Sequence, residues 1–275
     1  MATMVVALMS VPFSPDQKMS MRARNARLSD WFSTPLGAHL IEVELRYFDQ
    51  EVADVFGFNA FQLELPEYDF LRANRMPFRR VTGLEGQVAI AADLCVLPIQ
   101  TGVADLVVLP HTLEFSNSPH QVLREVSRIL MPEGHVIVSG FNPWSLWGAR
   151  RLGSGKQTNP WCGQFINLPR LKDWMALLGF EVAGGRMACY VPPLASEKWR
   201  RRFEFMENVG DRWWPFAGGV YLLHAIKRVP GMRVITPRWK AQTAKKKTLA
   251  AVPQRHQHPE DVLAAREKGV FGDPR

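Results

Sequence analysis

The sequence predicts an α/β protein whose sheet is mostly parallel and carries helices on both faces. The first observation is the run ADLVVL at Ala104–Leu109, which is apolar throughout, as expected of a strand that is buried on both faces. The second is a helical pattern over Ser118–Leu130, followed by a further strand at His135–Ser139. A strand, a helix and a strand joined by short connections predict two parallel strands with a right-handed crossover.

The ends of this predicted helix carry their own signals. Ser118 is expected to cap the helix, Pro119 to occupy its first position and Gln121 to complete a capping box. The apolar stripe that would face the sheet consists of Val122, Leu123, Val126, Ile129 and Leu130. Pro132–Gly134 predicts the turn that leads out of the helix and into the next strand.

Weaker patterns predict elements before and after this unit. The segment Ser29–Gln50 favours a helix in its second half, after Thr34 and Pro35. The other expected elements are strands at Phe56–Leu65, Phe78–Val81 and Gly86–Ala92, a helix at Leu168–Leu178, and late strands at Phe180–Tyr190 and Gly219–Lys227.

The composition is typical of a globular protein, with 47% apolar and 22% charged residues in a chain of 275. No stretch of eighteen apolar residues occurs, so no transmembrane helix is expected, and the apolar start at Met4–Val11 lacks the flanks of a signal peptide. Cys95, Cys162 and Cys189 have no paired spacing, which favours reduced thiols over disulfides or a zinc site. We therefore expect a cytoplasmic protein without a metal site.

Positive charge is concentrated at the end of the chain. The net charge is +8, and residues 240–275 contain eight basic and four acidic side chains, which gives that segment +4. We expect three parts: a partly disordered leader at 1–28, one domain at 29–239 and a basic, disordered tail at 240–275. The tail is either a solvated extension or a contact for nucleic acid or an anionic membrane surface.

The stretch from Ala91 to Ser145 resembles a known family. An acid at Asp93, Leu-Pro four residues later, the run ADLVVL, a helix containing LREVSRIL and then MPEGHVIVS are similar to the core of class I S-adenosylmethionine-dependent methyltransferases. The type is that of ubiquinone and menaquinone methyltransferases (methyltransferase type 11), and FNPWSLWGARR resembles a bacterial subgroup. The resemblance implies a Rossmann-like, seven-stranded, mostly parallel sheet with an antiparallel last strand, and it implies S-adenosyl-L-methionine as the cofactor.

The resemblance also implies roles for four residues. Asp93 would accept a hydrogen bond from the adenine amino group, and Leu94 would lie against the ring. Pro110 and His111 would lie near the methionine part of the cofactor, where His111 would orient an acceptor or take its proton. The alternatives are that Asp93 only caps a turn and that His111 only packs and forms local hydrogen bonds.

The sequence departs from the family at the glycine-rich loop after the first strand. Bare backbone is needed there because it approaches the amino-acid end of the cofactor closely. In this sequence Glu64, Leu65 and Pro66 stand where glycines are expected, so Glu64 and Leu65 are the cofactor-binding candidates of the loop. No clear acid follows the second strand to bind the ribose, and Glu85 is a displaced substitute.

These observations leave two main hypotheses and a weaker third. The first is a methyltransferase that moves a methyl group in line to an unidentified small-molecule or macromolecular acceptor, with a small molecule favoured, largely by positioning and desolvation. The second is a catalytically inactive, methyltransferase-like binding or scaffold protein, which the altered loop favours. The third is a nucleic-acid-associated protein that uses the basic tail. Arg-Trp segments such as Trp144–Arg151, Trp199–Arg202 and Arg212–Trp214 are compatible with stacking on bases, a membrane interface, a lid over an apolar acceptor or ordinary packing.

Overall fold

The structure is a computed structural model, and it describes residues 28–84, 86–153, 160–193 and 216–229, without the side chain of Leu152. Residues 28–32 form a helical segment. The elements that follow are α1 (Pro35–Ala53), β1 (Asn59–Leu63), β2 (Phe78–Gly83), β3 (Ile90–Ala91), β4 (Ala104–Pro110), α2 (Thr112–Phe115), α3 (Pro119–Ile129), β5 (Leu130–Phe141), α4 (Leu146–Gly153), α5 (Leu168–Leu177), β6 (Phe180–Ala188) and β7 (Val220–Lys227).

The seven strands form one sheet in the order β3-β2-β1-β4-β5-β7-β6. Strands β1 to β5 are parallel to one another, whereas β7 is antiparallel to both of its neighbours, β5 and β6. This arrangement confirms the predicted seven-stranded, mostly parallel sheet with an antiparallel last strand. It brings the carboxyl ends of β1 and β4 side by side, because Gln62 is in register with Val108.

Alternating side chains of the strands enter two separate apolar cores, one on each face of the sheet. One core joins α1 and Trp147 of α4 to Ala60, Leu106 and Ile137. The other joins α3 and α5 to strand residues such as Phe61, Leu63, Val107, Leu109 and Val136. Because β4 supplies alternate residues to both cores, the apolar run Ala104–Leu109 is fully explained by burial on two faces.

Helix α1 begins where its sequence signals predict. The Thr34 hydroxyl accepts from the Gly37 N–H at 3.2 Å, and Pro35 occupies the first helical position. The buried face of the helix includes Leu36, Leu40, Ile41, Phe48 and Val52. Helix α5 begins in the same way, since the Asn167 side chain accepts from the Arg170 N–H at 2.8 Å.

Three local predictions were wrong. Ser118 forms no capping hydrogen bond through its side chain, and the Gln121 amide instead reaches the Cys95 carbonyl at 3.4 Å. Pro132–Gly134 is not a separate turn, because β5 runs through it with Glu133 in the left-handed region (φ 64°). The predicted strand Gly86–Ala92 shortens to Ile90–Ala91 at the sheet edge, where β3 has β2 as its neighbour.

Several predictions lie outside the described residues. They include the leader up to residue 27, Glu85, the Arg-Trp segments at 199–202 and 212–214, and the tail at 240–275. Among the helices that the structure does describe, none combines the length and the apolar character that crossing a membrane requires.

Candidate active site at the ends of β1 and β4

The loop after β1 turns through a backbone conformation that glycine normally adopts. Glu64 and Leu65 have φ angles of 67° and 51°, and both lie in the left-handed region. Side chains other than glycine enter this region at a cost of roughly 1–2 kcal/mol per residue. The chain therefore makes a left-handed turn at the place where the resemblance predicts glycines, and it does so with a glutamate and a leucine.

Gln62 of β1 holds this loop in place. Its side-chain amide nitrogen contacts the carbonyl oxygens of Glu64, Leu65 and Tyr68 at 3.1, 2.9 and 2.8 Å, and its amide oxygen accepts from the Phe70 N–H at 2.9 Å. The side chain of Gln62 is completely buried. One polar side chain thus satisfies backbone groups along seven residues of the loop, which supports the strained turn at its start.

Neighbouring strands fix the start of the loop as well. The Glu64 N–H donates to the Thr82 carbonyl of β2 at 2.8 Å, and the Thr112 hydroxyl donates to the Leu63 carbonyl at 2.8 Å. A Cβ atom at Gly83 would lie 3.2 Å from the Glu64 carboxylate. Glycine at position 83 therefore leaves the room that the buried Glu64 side chain occupies.

His111 lies at the end of β4 between two glutamates. Its Nε2 is 2.8 Å from Glu44 of α1, and its Nδ1 is 2.8 Å from Glu114 of α2. All three side chains are at most 1% exposed. The second oxygen of Glu114 accepts from the backbone N–H of Phe141, at the end of β5. We call Glu44, His111 and Glu114 the buried triad.

The triad favours a protonated imidazole. Burial by itself lowers the pKa of His111, but the charges of Glu44 and Glu114 and their hydrogen bonds outweigh it and raise this pKa to about 10. Burial raises the pKa of Glu114, against the opposing effect of His111. A protonated imidazole has no free nitrogen that could take a proton, so the arrangement favours the orienting role of His111 over its role as a base, and both roles stay predictions.

Four of the six predicted site residues line one small cavity. Glu64, Leu65, Pro110 and His111 surround it together with Thr112, Phe115 and Leu28. The cavity has a volume of about 10 Å³, which is room for about one water molecule. The structure therefore brings the loop after β1 close to the end of β4, as predicted for these four residues, but it leaves little space between the two segments.

The helical segment at 28–32 covers this cavity. Leu28 is one of its walls, and the ring of Phe32 packs 5.7 Å from the ring of His111 and 5.9 Å from that of Tyr68. Both Leu28 and Phe32 are buried. The segment immediately before α1 thus closes the carboxyl edge of the sheet over the triad.

Asp93 and Leu94 lie apart from this cavity, in the turn after β3. Asp93 is half-buried, and its carboxylate accepts from the Cys95 N–H at 2.8 Å, so it caps the turn. Burial and the Asp93 carboxylate raise the pKa of the Cys95 thiol to about 11. Leu94 is completely buried in the core beneath α3 and offers no open surface to a ring. The adenine-binding role of this pair stays a prediction.

Two important residues of the site were not predicted from the sequence. Glu44 lies on the apolar stripe of α1, three or four residues from Leu40, Ile41 and Phe48. A carboxylate on a buried helical face is costly unless it is paired, so its position in the stripe was the available signal. Gln62 likewise interrupts the apolar strand β1, but nothing in the sequence indicates which backbone groups it binds.

The comparisons with known proteins agree with the fold. Residues 47–138 match the family model of a methyltransferase domain. An uncharacterized protein of Escherichia coli (strain K12), YafS, is 31% identical over 169 residues, which cover 61% of this chain and 63% of that protein. The malonyl-[acyl-carrier protein] O-methyltransferase of Methylovorus sp. (strain MP688) is 28% identical over 109 residues, which cover 40% of this chain and 37% of that one.

A solved structure extends the agreement beyond the segment that the family model matches. An S-adenosylmethionine-dependent methyltransferase from Thermotoga maritima superimposes with a TM-score of 0.52 at 14% identity, covering 76% of this chain and 98% of that one. Residues 47–138 are therefore similar to a methyltransferase domain, and the fold of the chain is similar to that of S-adenosylmethionine-dependent methyltransferases. The narrower resemblance to ubiquinone and menaquinone methyltransferases stays a prediction. The matches span less than two thirds of either curated relative.

The residues fit the cofactor in kind but not in the space between them. The turn at Glu64 and Leu65 has the left-handed backbone that glycines usually supply, and the Glu64 carboxylate would attract the ammonium of the cofactor but repel its carboxylate. A pocket for a ligand of this size usually measures about 300–1,000 Å³, far more than the cavity of about 10 Å³. Binding therefore requires Leu28 and its segment, or the Glu64 side chain, to move outward.

Proposed function

We propose that this protein is an S-adenosylmethionine-dependent methyltransferase that acts on a small-molecule acceptor in the cytoplasm. The observation that carries the proposal is the left-handed turn at Glu64 and Leu65, directly after β1 and inside the matched methyltransferase domain. The chain maintains this turn at an energetic cost and with a dedicated support, Gln62. Strained turns that the surrounding structure stabilises in this way cluster at functional sites, which favours a function for this turn.

The site residues would bind the two ends of the cofactor at separate places along the carboxyl edge of the sheet. When bound, the cofactor supplies a methyl group that is already activated by its sulfonium charge. The Asp93 carboxylate would accept from the adenine amine, while Glu64 and Leu65 would lie at the amino-acid end. His111, held by Glu44 and Glu114, would orient the groups at the end of β4 and would not transfer a proton. The covering segment at 28–32 would exclude water.

Calorimetric titration with S-adenosylmethionine and S-adenosylhomocysteine tests the proposal. Wild type should bind both, and Asp93→Ala should weaken binding by about 1.5–3 kcal/mol, the usual cost of losing a hydrogen bond to a charged group. The matched control is Asp69→Ala, because Asp69 caps a turn through the same contact, to the N–H of Leu71 at 2.9 Å. Equal binding by wild type and Asp93→Ala would contradict the role of Asp93.

The second candidate is a catalytically inactive, methyltransferase-like binding or scaffold protein. The observation that favours it is the small cavity, which is closed by Leu28 and by the Glu64 side chain. The same titration separates the two candidates. Failure of wild type to bind either compound at millimolar concentration would support the inactive protein and would contradict methyl transfer.

A further inference from the structure

A second and much larger concave site lies next to the segments that follow β4 and β5. It has a volume of about 700 Å³ and is bounded by the start of α3, by Pro143 and Trp144 after β5, by residues 164–167, and by α5. This volume falls within the range of about 300–1,000 Å³ that is typical of small-molecule sites. We call it the α3–α5 groove.

The charged side chains of the groove are all of one sign. Arg124 of α3 and Arg170 of α5 line it, together with His120, and its lining contains no aspartate or glutamate. Within the described ranges, no carboxylate pairs with Arg124 or Arg170. Arg128, one turn further along α3, is different, because Glu125 binds it at 2.8 Å and the carbonyls of Leu97 and Ile99 accept from it.

Flat aromatic surfaces accompany these charges. The Trp174 ring lies at a centroid distance of 3.7 Å from the His120 ring, and the Arg170 guanidinium lies over the Trp174 ring at 4.9 Å. Trp144 stands at the rim and is 77% exposed. A large aromatic side chain at this exposure gains free energy when a planar or apolar ligand covers it.

We propose that the α3–α5 groove binds a small organic anion with a planar or apolar body. Arg124 and Arg170 bind the carboxylate, sulfonate or phosphate of the ligand, because guanidinium groups form charge-assisted and often bidentate bonds to such oxygens. Trp144 and Trp174 contact its body. A neutral ligand of the same shape lacks the first set of contacts, so the groove discriminates by charge.

The ring of Phe141 lies between the lining of the groove and the buried triad. Phe165, which lines the groove, stacks on Phe141 at 5.0 Å, and Phe141 in turn lies 4.3 Å from the His111 ring. The Gln164 N–H also donates to the Glu114 carbonyl at 2.8 Å. If the proposed methyl transfer is correct, the anion is the methyl acceptor, and this assignment rests on that function. Binding of the anion in the groove does not rest on it.

Titration calorimetry without any cofactor tests the groove separately from methyl transfer. The probes are naphthalene-2-carboxylate and its neutral counterpart naphthalene-2-methanol, each titrated into the full chain. We expect the carboxylate to bind roughly 25- to 100-fold more tightly than the alcohol, because each of the two arginines contributes about five- to tenfold through a hydrogen bond to a charged group. Absence of carboxylate binding at millimolar concentration, or equal affinity for the two probes, would overturn the proposal, whether or not the protein binds S-adenosylmethionine.

Three variants locate the binding. Arg124→Gln and Arg170→Gln should each weaken binding of the carboxylate by roughly five- to tenfold and leave the alcohol unaffected. Lys172→Gln is the matched control, because Lys172 is an exposed cation of α5 that does not line the groove, and it should change binding less than about twofold. Equal losses in Arg170→Gln and Lys172→Gln would show general charge attraction only and would overturn the site. Thermal unfolding of each variant confirms that it is folded.

Discussion

Glu44 and His111 meet at 2.8 Å, with no solvent exposure of either side chain, although one lies on α1 and the other at the end of β4. The contact ties the first helix to the strand end that carries the candidate site. It also explains why His111 tolerates a left-handed backbone (φ 47°), since Glu44 and Glu114 hold its ring from both sides. The chain thus places His111 between two carboxylates at the end of β4, where the candidate site lies.

Breaking this pair should destabilise the protein strongly. Glu44→Gln removes one partner of a buried ion pair, which typically costs about 3–5 kcal/mol. Glu42→Gln on the same helix is the control, because Glu42 and its partner Arg46 are 69% and 65% exposed and an exposed pair contributes about 0.3–0.5 kcal/mol. Urea unfolding of both variants measures the difference. Equal, small effects would show that Glu44 does not stabilise a charged His111.

The stability that His111 contributes should depend on pH in a defined window. Its pKa is raised to about 10 in the folded protein, from about 6.5 in the unfolded chain. The contribution is therefore complete below about pH 6.5 and is lost as the pH rises toward 10. The pKa of Glu114 is also raised in the folded protein. The free energy of unfolding therefore falls with rising pH on its account as well, beginning at a lower pH.

Comparison with His111→Gln isolates this contribution. The free energy of unfolding of wild type minus that of His111→Gln should shrink between pH 6.5 and 10, as measured by urea unfolding at several pH values. Groups far from the triad titrate in both proteins, so their effects cancel in the difference. A difference that stays constant over this range would mean that His111 is neutral in the folded protein.

The sequence predicted the sheet better than the site, for physical reasons that particular residues illustrate. Apolar runs such as Ala104–Leu109 report burial directly, so the parallel strands and α3 were found. The role of Glu44 depends on where α1 packs, which no local pattern contains. The capping box at Ser118 failed because the Gln121 amide finds a partner in the turn after β3. Tertiary contacts, which a local sequence pattern does not contain, set the roles of Glu44 and Gln121.

Glu64 offers a test of the altered loop. The positive φ angles lie at Glu64 and Leu65 and not at Pro66, so Glu64 is the informative position. Glu64→Gly removes a left-handed strain of roughly 1–2 kcal/mol, offset by about 0.5–1 kcal/mol of chain entropy. It also enlarges the cavity and removes one carboxylate. Calorimetry should show binding of S-adenosylhomocysteine severalfold tighter than that of wild type.

Two controls separate the causes of that gain. Glu64→Gln removes the charge but keeps the strain and most of the volume, whereas Glu67→Gly adds a glycine at an exposed position of the same loop. Glu64→Gln should show part of the tighter binding of S-adenosylhomocysteine, and Glu67→Gly should show none. If Glu64→Gly binds more weakly than wild type, the glutamate is part of a working site and its carboxylate contacts the cofactor.

The basic tail at 240–275 should be dispensable for the stability of the domain. A segment with eight basic and four acidic side chains among 36 residues buries little apolar surface. Truncation after Trp239 should shift the thermal midpoint by less than about 2 °C, which is at or below the shift of about 2–4 °C that 1 kcal/mol causes in a domain of this size. If the tail contacts nucleic acid or anionic membranes, truncation should abolish salt-sensitive binding to an RNA oligonucleotide or to phosphatidylserine vesicles. A large drop in the midpoint would show that the tail packs on the domain.

Gln62 should be the residue on which the whole loop after β1 depends. Gln62→Met keeps the length of the side chain but leaves buried carbonyl groups and the Phe70 N–H without their partner, so it should cost about 2–4 kcal/mol in urea unfolding. Gln121→Met is the control, because that amide makes a single contact of 3.4 Å, and it should cost less than about 1 kcal/mol. Hydrogen exchange gives a local readout, since the Phe70 N–H should lose protection in Gln62→Met at a denaturant concentration where the global fold persists. Unchanged protection of Phe70 would mean that the strands, and not Gln62, hold the loop in its left-handed turn.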